Sequence, residues 1–120
     1  MKRISILLAL ASLLFASGCT TDQGNFTVLS NKIVNLRGFN LSTSQKVKHT
    51  TGKQENFTIV VIPFGDMNPN LGGALNDCFK NNDADLLTDA HVYQSSFWFP
   101  LIYSKHGFYV EGDAVKTRRN

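Results

Sequence analysis

The chain has 120 residues, which is enough for one small domain and not comfortably for two. Its 12 Lys and Arg residues outnumber 9 Asp and Glu residues, but Lys2 and Arg3 lie in an N-terminal segment whose removal leaves a net charge of only +1. Binding of nucleic acid needs several clustered cations, and the one remaining cluster is the C-terminal run 116–119 (KTRR). Composition therefore predicts a single small domain with no nucleic-acid partner.

Residues 1–18 have the organisation of an export signal that is removed. Two cations precede the apolar run Ile4–Ala16, and the small residues Ser17 and Gly18 stand directly before Cys19. The run is shorter than the roughly 20 apolar residues that span a bilayer, so we do not expect a retained membrane helix. Cleavage by the ordinary secretory peptidase, with Cys19 an incidental thiol, is the alternative.

The segment that ends at Cys19 resembles a bacterial lipobox, although Ala16 stands where many lipoboxes have Leu. The resemblance implies cleavage between Gly18 and Cys19, diacylglycerol on the Cys19 sulfur and an acyl group on the new amino terminus, with no other cofactor. Thr20 follows where Asp would resemble an inner-membrane retention signal. We therefore predict a lipid-anchored envelope protein, in the outer membrane of a two-membrane host, whose domain faces the periplasm.

The second cysteine, Cys78, has no partner for a disulfide within the chain if Cys19 carries lipid. It falls on the apolar stripe of a predicted helix. We expect a reduced core residue, because a buried thiol away from cations is a poor nucleophile.

In chain order, residues 19–25 predict a lipidated Cys and a polar tether, and the domain is expected to occupy 26–120. Phe26–Leu36 alternates as a first strand. The polar stretch Arg37–Glu55 predicts an exposed excursion with one short edge strand near Gln45–His49.

The apolar run Phe57–Phe64 (FTIVVIPF) predicts a central strand that is covered on both faces and ends at Pro63. A helix should follow, with Asn68 as its N-cap and Pro69 at its first position. Its apolar stripe has helical spacing, and Gly72 and Gly73 are either tolerated in the first turn or permit close approach to the sheet. The stripe comprises Leu71, Ala74, Leu75, Cys78 and Phe79.

Strand character resumes over Leu86–Phe99, Ile102–Ser104 and Phe108–Val115. The last two form one strand–turn–strand unit around Gly107, and the overall order is β-β-α-β-β. This order predicts an α+β two-layer sandwich, with a mainly antiparallel sheet of about four strands and one helix across one face.

Aromatic residues concentrate between Tyr93 and Tyr109. Cross-strand pairs that hold the terminal hairpin in the core are one interpretation. Phe97, Trp98 and Phe99 cannot all point inward from a strand, however, so at least one should be exposed. An exposed Phe or Trp beside a bilayer indicates an interfacial contact or a protein-binding surface.

Asp83, Asp85, Asp89 and His91 form the densest group of potential metal ligands. Strict alternation in a strand would put Asp89 and His91 on one face, where a divalent ion could bridge them. Such a site needs at least one more ligand close by, and neither His49 nor His106 has a spacing that requires it to be that ligand. The alternative is a solvated acidic turn with a surface His. A small ligand- or metal-binding module using Asp85, Asp89 and His91 is thus our second functional hypothesis.

Motifs for hydrolysis or phosphate binding are absent from the sequence, which has no Gly-x-Ser-x-Gly, no phosphate-cradling Gly loop and no HExxH. Asp66 is most simply a turn residue. A cleft that brings Asp66, Cys78 and His91 together would favour catalysis, but we predict that the protein is not an enzyme.

From Leu71 onward the chain has a helix, the run 82–90 (NDADLLTDA), aromatics with Pro100, Tyr103 and Gly107, and the ending 110–115 (VEGDAV). This pattern is similar to small bacterial envelope lipoproteins of the tRNA-associated-locus-like (TRL-like) group and related families. It covers roughly the last fifty residues and the lipobox, and it implies location and fold type but no activity. Our leading hypothesis is a non-enzymatic lipoprotein with a protein-binding or envelope-associated role, for which an envelope protein and a second copy of the chain are the candidate partners.

Overall fold

The computed structural model describes residues 2–14, 17–33 and 46–116. They form helix α1 (Lys2–Leu14), strands β1 (Ser17–Leu29), β2 (Lys46–Ile59) and β3 (Ile62–Gly65), helix α2 (Leu71–Asn82), and strands β4 (Leu86–Phe99) and β5 (Tyr103–Val115). The strands make one antiparallel sheet in the order β1-β4-β5-β2-β3. The α+β class and the mainly antiparallel sheet are confirmed. The described residues contain five strands and two helices where four and one were predicted. The predicted turn around Gly107 is wrong, because β5 is continuous from Tyr103 to Val115 and Gly107 pairs with Ser95 of β4.

The first strand begins earlier than its side-chain pattern indicates. We predicted a tether at 20–25 and a strand over Phe26–Leu36, but β1 includes the polar residues 20–25 and ends at Leu29, and positions 34–36 lie outside the described residues. Thr20 pairs with Ser95 and Asp22 with Tyr93 on β4. An edge strand is held through its backbone groups, so polar side chains do not prevent pairing.

The apolar run Phe57–Phe64 forms a hairpin instead of a covered central strand. It contains the end of β2, a turn at Val60 and Val61, and β3, in which every residue is exposed. The prediction was wrong because a continuous β-branched run does not distinguish a buried strand from two short exposed ones. The expected excursion differs too, since residues 46–55 belong to β2 and residues 37–45 lie outside the described part of the chain.

Helix α2 begins two residues later than predicted. Asn70, not Asn68, is the N-cap, and its side-chain oxygen accepts a hydrogen bond from the Gly73 N–H at 2.9 Å. Pro69 therefore precedes the cap. The predicted stripe is confirmed, because Ala74, Leu75, Cys78 and Phe79 are all buried.

The core lies between α2 and one face of the sheet, where the helix packs on β2 and β5. The closest approach is at Gly52 of β2, where a Cβ atom would lie 2.2 Å from the Ala74 carbonyl oxygen and 2.5 Å from the Cys78 sulfur. Close approach to the sheet was one of the two explanations for the glycines of the helix, and Gly73 does lie against the Gln54 side chain of β2. The sheet-side partners in the core are Leu87, Ala90, Val92, Val110 and Ala114.

Cys78 is fully buried in this core and its thiol is free. Its sulfur lies 3.8 Å from the Val110 carbonyl oxygen. Burial, with a smaller contribution from the charge of Asp77, raises the pKa of the Cys78 thiol to about 11. Cys78 is thus a structural residue, as predicted from its place on the stripe.

Candidate anchoring and interaction site

Cys19 is exposed, and it lies near the start of edge strand β1. It pairs with Ser96 of β4, and the adjacent Gly18 pairs with Phe97. Its sulfur lies 3.8 Å from the Thr21 hydroxyl oxygen. A group attached to this sulfur would point away from the core, so the geometry is compatible with acylation.

Two hairpin turns meet at the end of the sheet where Cys19 lies. The Val60 N–H, in the β2–β3 turn, donates a hydrogen bond of 3.0 Å to the Ile102 carbonyl oxygen, in the β4–β5 turn. Large apolar side chains on these turns and the adjoining strand ends are more than half exposed. We call this group the apolar tip, and it comprises Val60, Val61, Ile62, Trp98, Leu101 and Ile102.

The aromatic run that ends β4 adjoins the apolar tip. Trp98 is 54% exposed and Phe97 40%, whereas Phe99 is half-buried. The expectation that at least one of the three is exposed is therefore confirmed, while their role as an interaction surface stays a prediction. The β2–β3 turn was not predicted as part of this surface, because its residues were assigned to a covered strand.

On the sheet face away from α2, Glu55 joins β2 to β5. The Tyr109 hydroxyl donates to Glu55 Oε2 at 2.7 Å, and Lys105 Nζ lies 2.9 Å from the same oxygen. Lys53 Nζ lies 3.1 Å from the other carboxylate oxygen. The pKa of Glu55 is lowered to about 2, chiefly by the hydrogen bond from Tyr109 and next by that from Lys105. A carboxylate with so low a pKa stays ionised near neutral pH. It is therefore suited to holding β2 against β5 through ion pairs and hydrogen bonds, and poorly suited to transferring protons.

Replacement of Glu55 by Gln is expected to lower the free energy of unfolding by about 2 kcal/mol at pH 7, a figure that allows for partial solvent screening. The folded-state pKa is below the ordinary value of 4.5, so the stabilisation is present above pH 4.5 and is lost as the pH falls toward 2. Urea denaturation from pH 7 to pH 2 checks this. The wild-type and variant curves should converge in acid, and Glu111→Gln, at a more exposed ion pair, should change stability little. A difference that is independent of pH would contradict the assigned role.

His91 lies between two carboxylates, neither of which we predicted. Its Nδ1 is 3.2 Å from Glu111 Oε1 and its Nε2 is 3.1 Å from Asp22 Oδ1. These hydrogen bonds, that of Glu111 first, raise the pKa of His91. Both partners come from neighbouring strands, whose register with β4 is not apparent in the sequence.

The positions of the other two predicted metal ligands, Asp85 and Asp89, differ from the prediction. Asp85 precedes β4 and forms an ion pair of 3.8 Å with Lys32, and six residues of strand separate it from His91 by roughly 20 Å. Asp89 has φ of 49° at an irregularity where the β4–β5 register shifts. Strict alternation therefore does not hold between Asp89 and His91. Within residues 2–14, 17–33 and 46–116, no three His, Cys, Asp or Glu side chains could hold a metal ion together.

The structure also gives the positions of the candidate catalytic residues and of the basic C-terminal run. The filled core around Cys78 separates it from Asp66 and His91, so the three do not form a catalytic cleft. Lys116 of the basic C-terminal run pairs with Asp83, and residues 117–119 lie outside the described residues. Among the helices that are described, none has both the length and the apolar character to cross a bilayer.

No protein-family model, curated protein or solved structure matches this chain. The likeness to TRL-like lipoproteins therefore stays a prediction.

Proposed function

We propose that the protein is a lipid-anchored lipoprotein of the bacterial envelope, related to the TRL-like group. Its α+β domain would be held at the periplasmic surface of the outer membrane by acyl chains on Cys19, and its role there is non-enzymatic binding of an envelope protein. The observation that carries the proposal is the contrast between the two cysteines: Cys19 is exposed on an edge strand beside a lipobox-like sequence, and Cys78 is fully buried.

The energetics of such an anchor favour permanent attachment. Each buried methylene of an acyl chain contributes about 0.8 kcal/mol, and one chain alone gives only reversible binding. Two or three chains on Cys19 would hold the domain at the surface without any membrane helix.

Two features of the sheet support a protein-binding role. In the processed chain strand β1 would run from Cys19 to Leu29, and among the described strands it pairs only with β4, so its outer edge is one to which another strand can add. The face away from α2 carries Tyr93 stacked on Tyr109 at 5.1 Å, beside the Glu55 cluster. Aromatic rings surrounded by charged groups are typical of protein-binding surfaces.

Metabolic labelling with radioactive palmitate tests the anchor. Wild type should be labelled, Cys19→Ala should lose the label and leave the membrane fraction, and the matched variant Cys78→Ala should keep it. Cys19→Ala should also retain its folded far-ultraviolet circular dichroism, because the exposed thiol makes no core contact. Equal labelling of wild type and Cys19→Ala would refute the proposal.

A further inference from the structure

We propose that the apolar tip is a second membrane contact, which lies in the interfacial region of the same bilayer that receives the acyl chains of Cys19. The inference rests on the proposed anchoring, and it goes further by assigning an orientation: the strands stand on the membrane with both hairpin turns directed into it. Three independent features of the chain support it.

The first feature is position. Cys19 pairs with Ser96, and β4 continues from Ser96 through Phe99 into the turn that carries Leu101. Three strand residues span about 10 Å, so the tip lies about that distance beyond Cys19, on the side away from the core. Interfacial segments are buried by about 5–10 Å at the boundary between headgroups and acyl chains. A bilayer that holds the lipid of Cys19 is therefore within reach of the tip.

The second feature is the absence of charge. The sequence has no Asp, Glu, Lys or Arg in residues 19–21, 56–65 (apart from none at the turn) or 94–104, which are the segments of the processed chain that build this end of the sheet. Charged residues return farther from the tip, at Asp22, Glu55 and Lys105. Desolvating this end would thus bury no ionised side chain, and its Trp98 is of a residue type that is enriched at membrane interfaces.

The third feature is the backbone of the turns. Val60, Val61 and Leu101 have φ of 46°, 69° and 61°, a region that favours Gly or Asn. The other non-glycine residues with positive φ in the described chain are Asp83 and Asp89, which tolerate it more readily. Large aliphatic residues at such positions are unfavourable for the turns themselves. Contact of these turns with lipid would explain why they carry large apolar residues in spite of the backbone strain.

The composition of the tip favours a bilayer over a protein partner. Protein-binding surfaces carry Arg and Tyr among polar groups that pair with the partner. The tip instead has aliphatic side chains and one Trp, and five of its six residues line an open concavity of about 210 Å³ together with Thr58, Phe99, Tyr103 and Ser104. Lipid acyl chains can fill such an irregular surface without specific complementarity.

Fluorescence of Trp98 tests the proposal, because it is the only tryptophan in the chain. The processed protein would be purified from membranes and reconstituted into vesicles of phosphatidylethanolamine and phosphatidylglycerol with or without brominated acyl chains. We expect emission at shorter wavelength than in lipid-free solution, and roughly twofold quenching by brominated lipid, as for an interfacial indole. The double variant Val61→Lys, Leu101→Lys should lose most of the quenching. Ile33→Lys should not, because Ile33 is equally apolar and exposed but follows the opposite end of β1.

The possible outcomes distinguish failure of the proposed membrane contact from failure of the proposed lipid anchor. An acylated protein whose Trp98 is not quenched by brominated lipid would overturn the membrane contact and leave the anchor intact. A shift in emission that depends on protein concentration and occurs without brominated-lipid quenching would show that the tip binds protein, and would equally overturn it. Absence of acylation would overturn both proposals.

Discussion

Replacement of Gly52 by Ala is expected to lower the free energy of unfolding by about 3 kcal/mol or more. The added Cβ would lie 2.2 Å from the Ala74 carbonyl oxygen and 2.7 Å from the Cys78 backbone nitrogen. Both are backbone atoms, so no rotamer change relieves the contact. Helix α2 would have to move away from β2, which opens the core around Ala74 and Cys78.

Urea denaturation followed by circular dichroism measures this loss. Gly72→Ala is the matched control, because its new Cβ would meet only the Asn70 side-chain oxygen at 3.2 Å. Ala gains helix propensity of up to about 1 kcal/mol over Gly, which offsets the cost of shifting the Asn70 cap oxygen slightly, so the control should change stability little. A Gly52→Ala protein as stable as wild type would show that α2 does not pack this closely on β2.

The paired change Val60→Asn, Val61→Gly is expected to raise the free energy of unfolding by about 2 kcal/mol. Both residues have positive φ, and Asn-Gly is the sequence that a two-residue hairpin turn of this kind prefers. The Val60 N–H that donates to Ile102 is retained in Asn. The same variant should weaken membrane contact, so stability and binding should change in opposite directions.

Ile62→Thr is the control for this effect. It removes an exposed apolar side chain from the same hairpin, but its position is not among those with positive φ. We expect little change in its urea midpoint. If the paired Val variant were no more stable than this control, the turn would carry no backbone strain, and strain would not support a membrane-contacting tip.

How far the sequence predicts this fold depends on whether side chains or backbone groups hold each element. The stripe of α2 was predictable because Ala74, Cys78 and their neighbours have helical spacing and are buried. β1 was predicted only in part, because Asp22 and its neighbours are held by backbone pairing at a sheet edge. The hairpin at Val60 and Val61 was hidden because its turn has none of the residues that normally indicate one.

The candidate interaction site, like the fold, could be predicted from the sequence only in part. The exposure of Phe97 or Trp98 follows from three consecutive aromatics in one strand, since neighbouring side chains point to opposite faces. The partners of His91 and Glu55 could not be predicted, because Glu111 and Tyr109 are distant in sequence and meet them only through strand register. That Cys19 and the apolar tip share one end of the sheet also required the register of β1 with β4.

Intact-mass spectrometry of the protein purified from bacterial membranes tests the central claim most directly. The account predicts a chain that begins at Cys19, lacks residues 1–18, and carries the added mass of diacylglycerol and one further acyl group on its first residue. Fragmentation should place all of this added mass on Cys19. A membrane-purified protein that retains residues 1–18, or that begins elsewhere and carries no acyl mass, would contradict it.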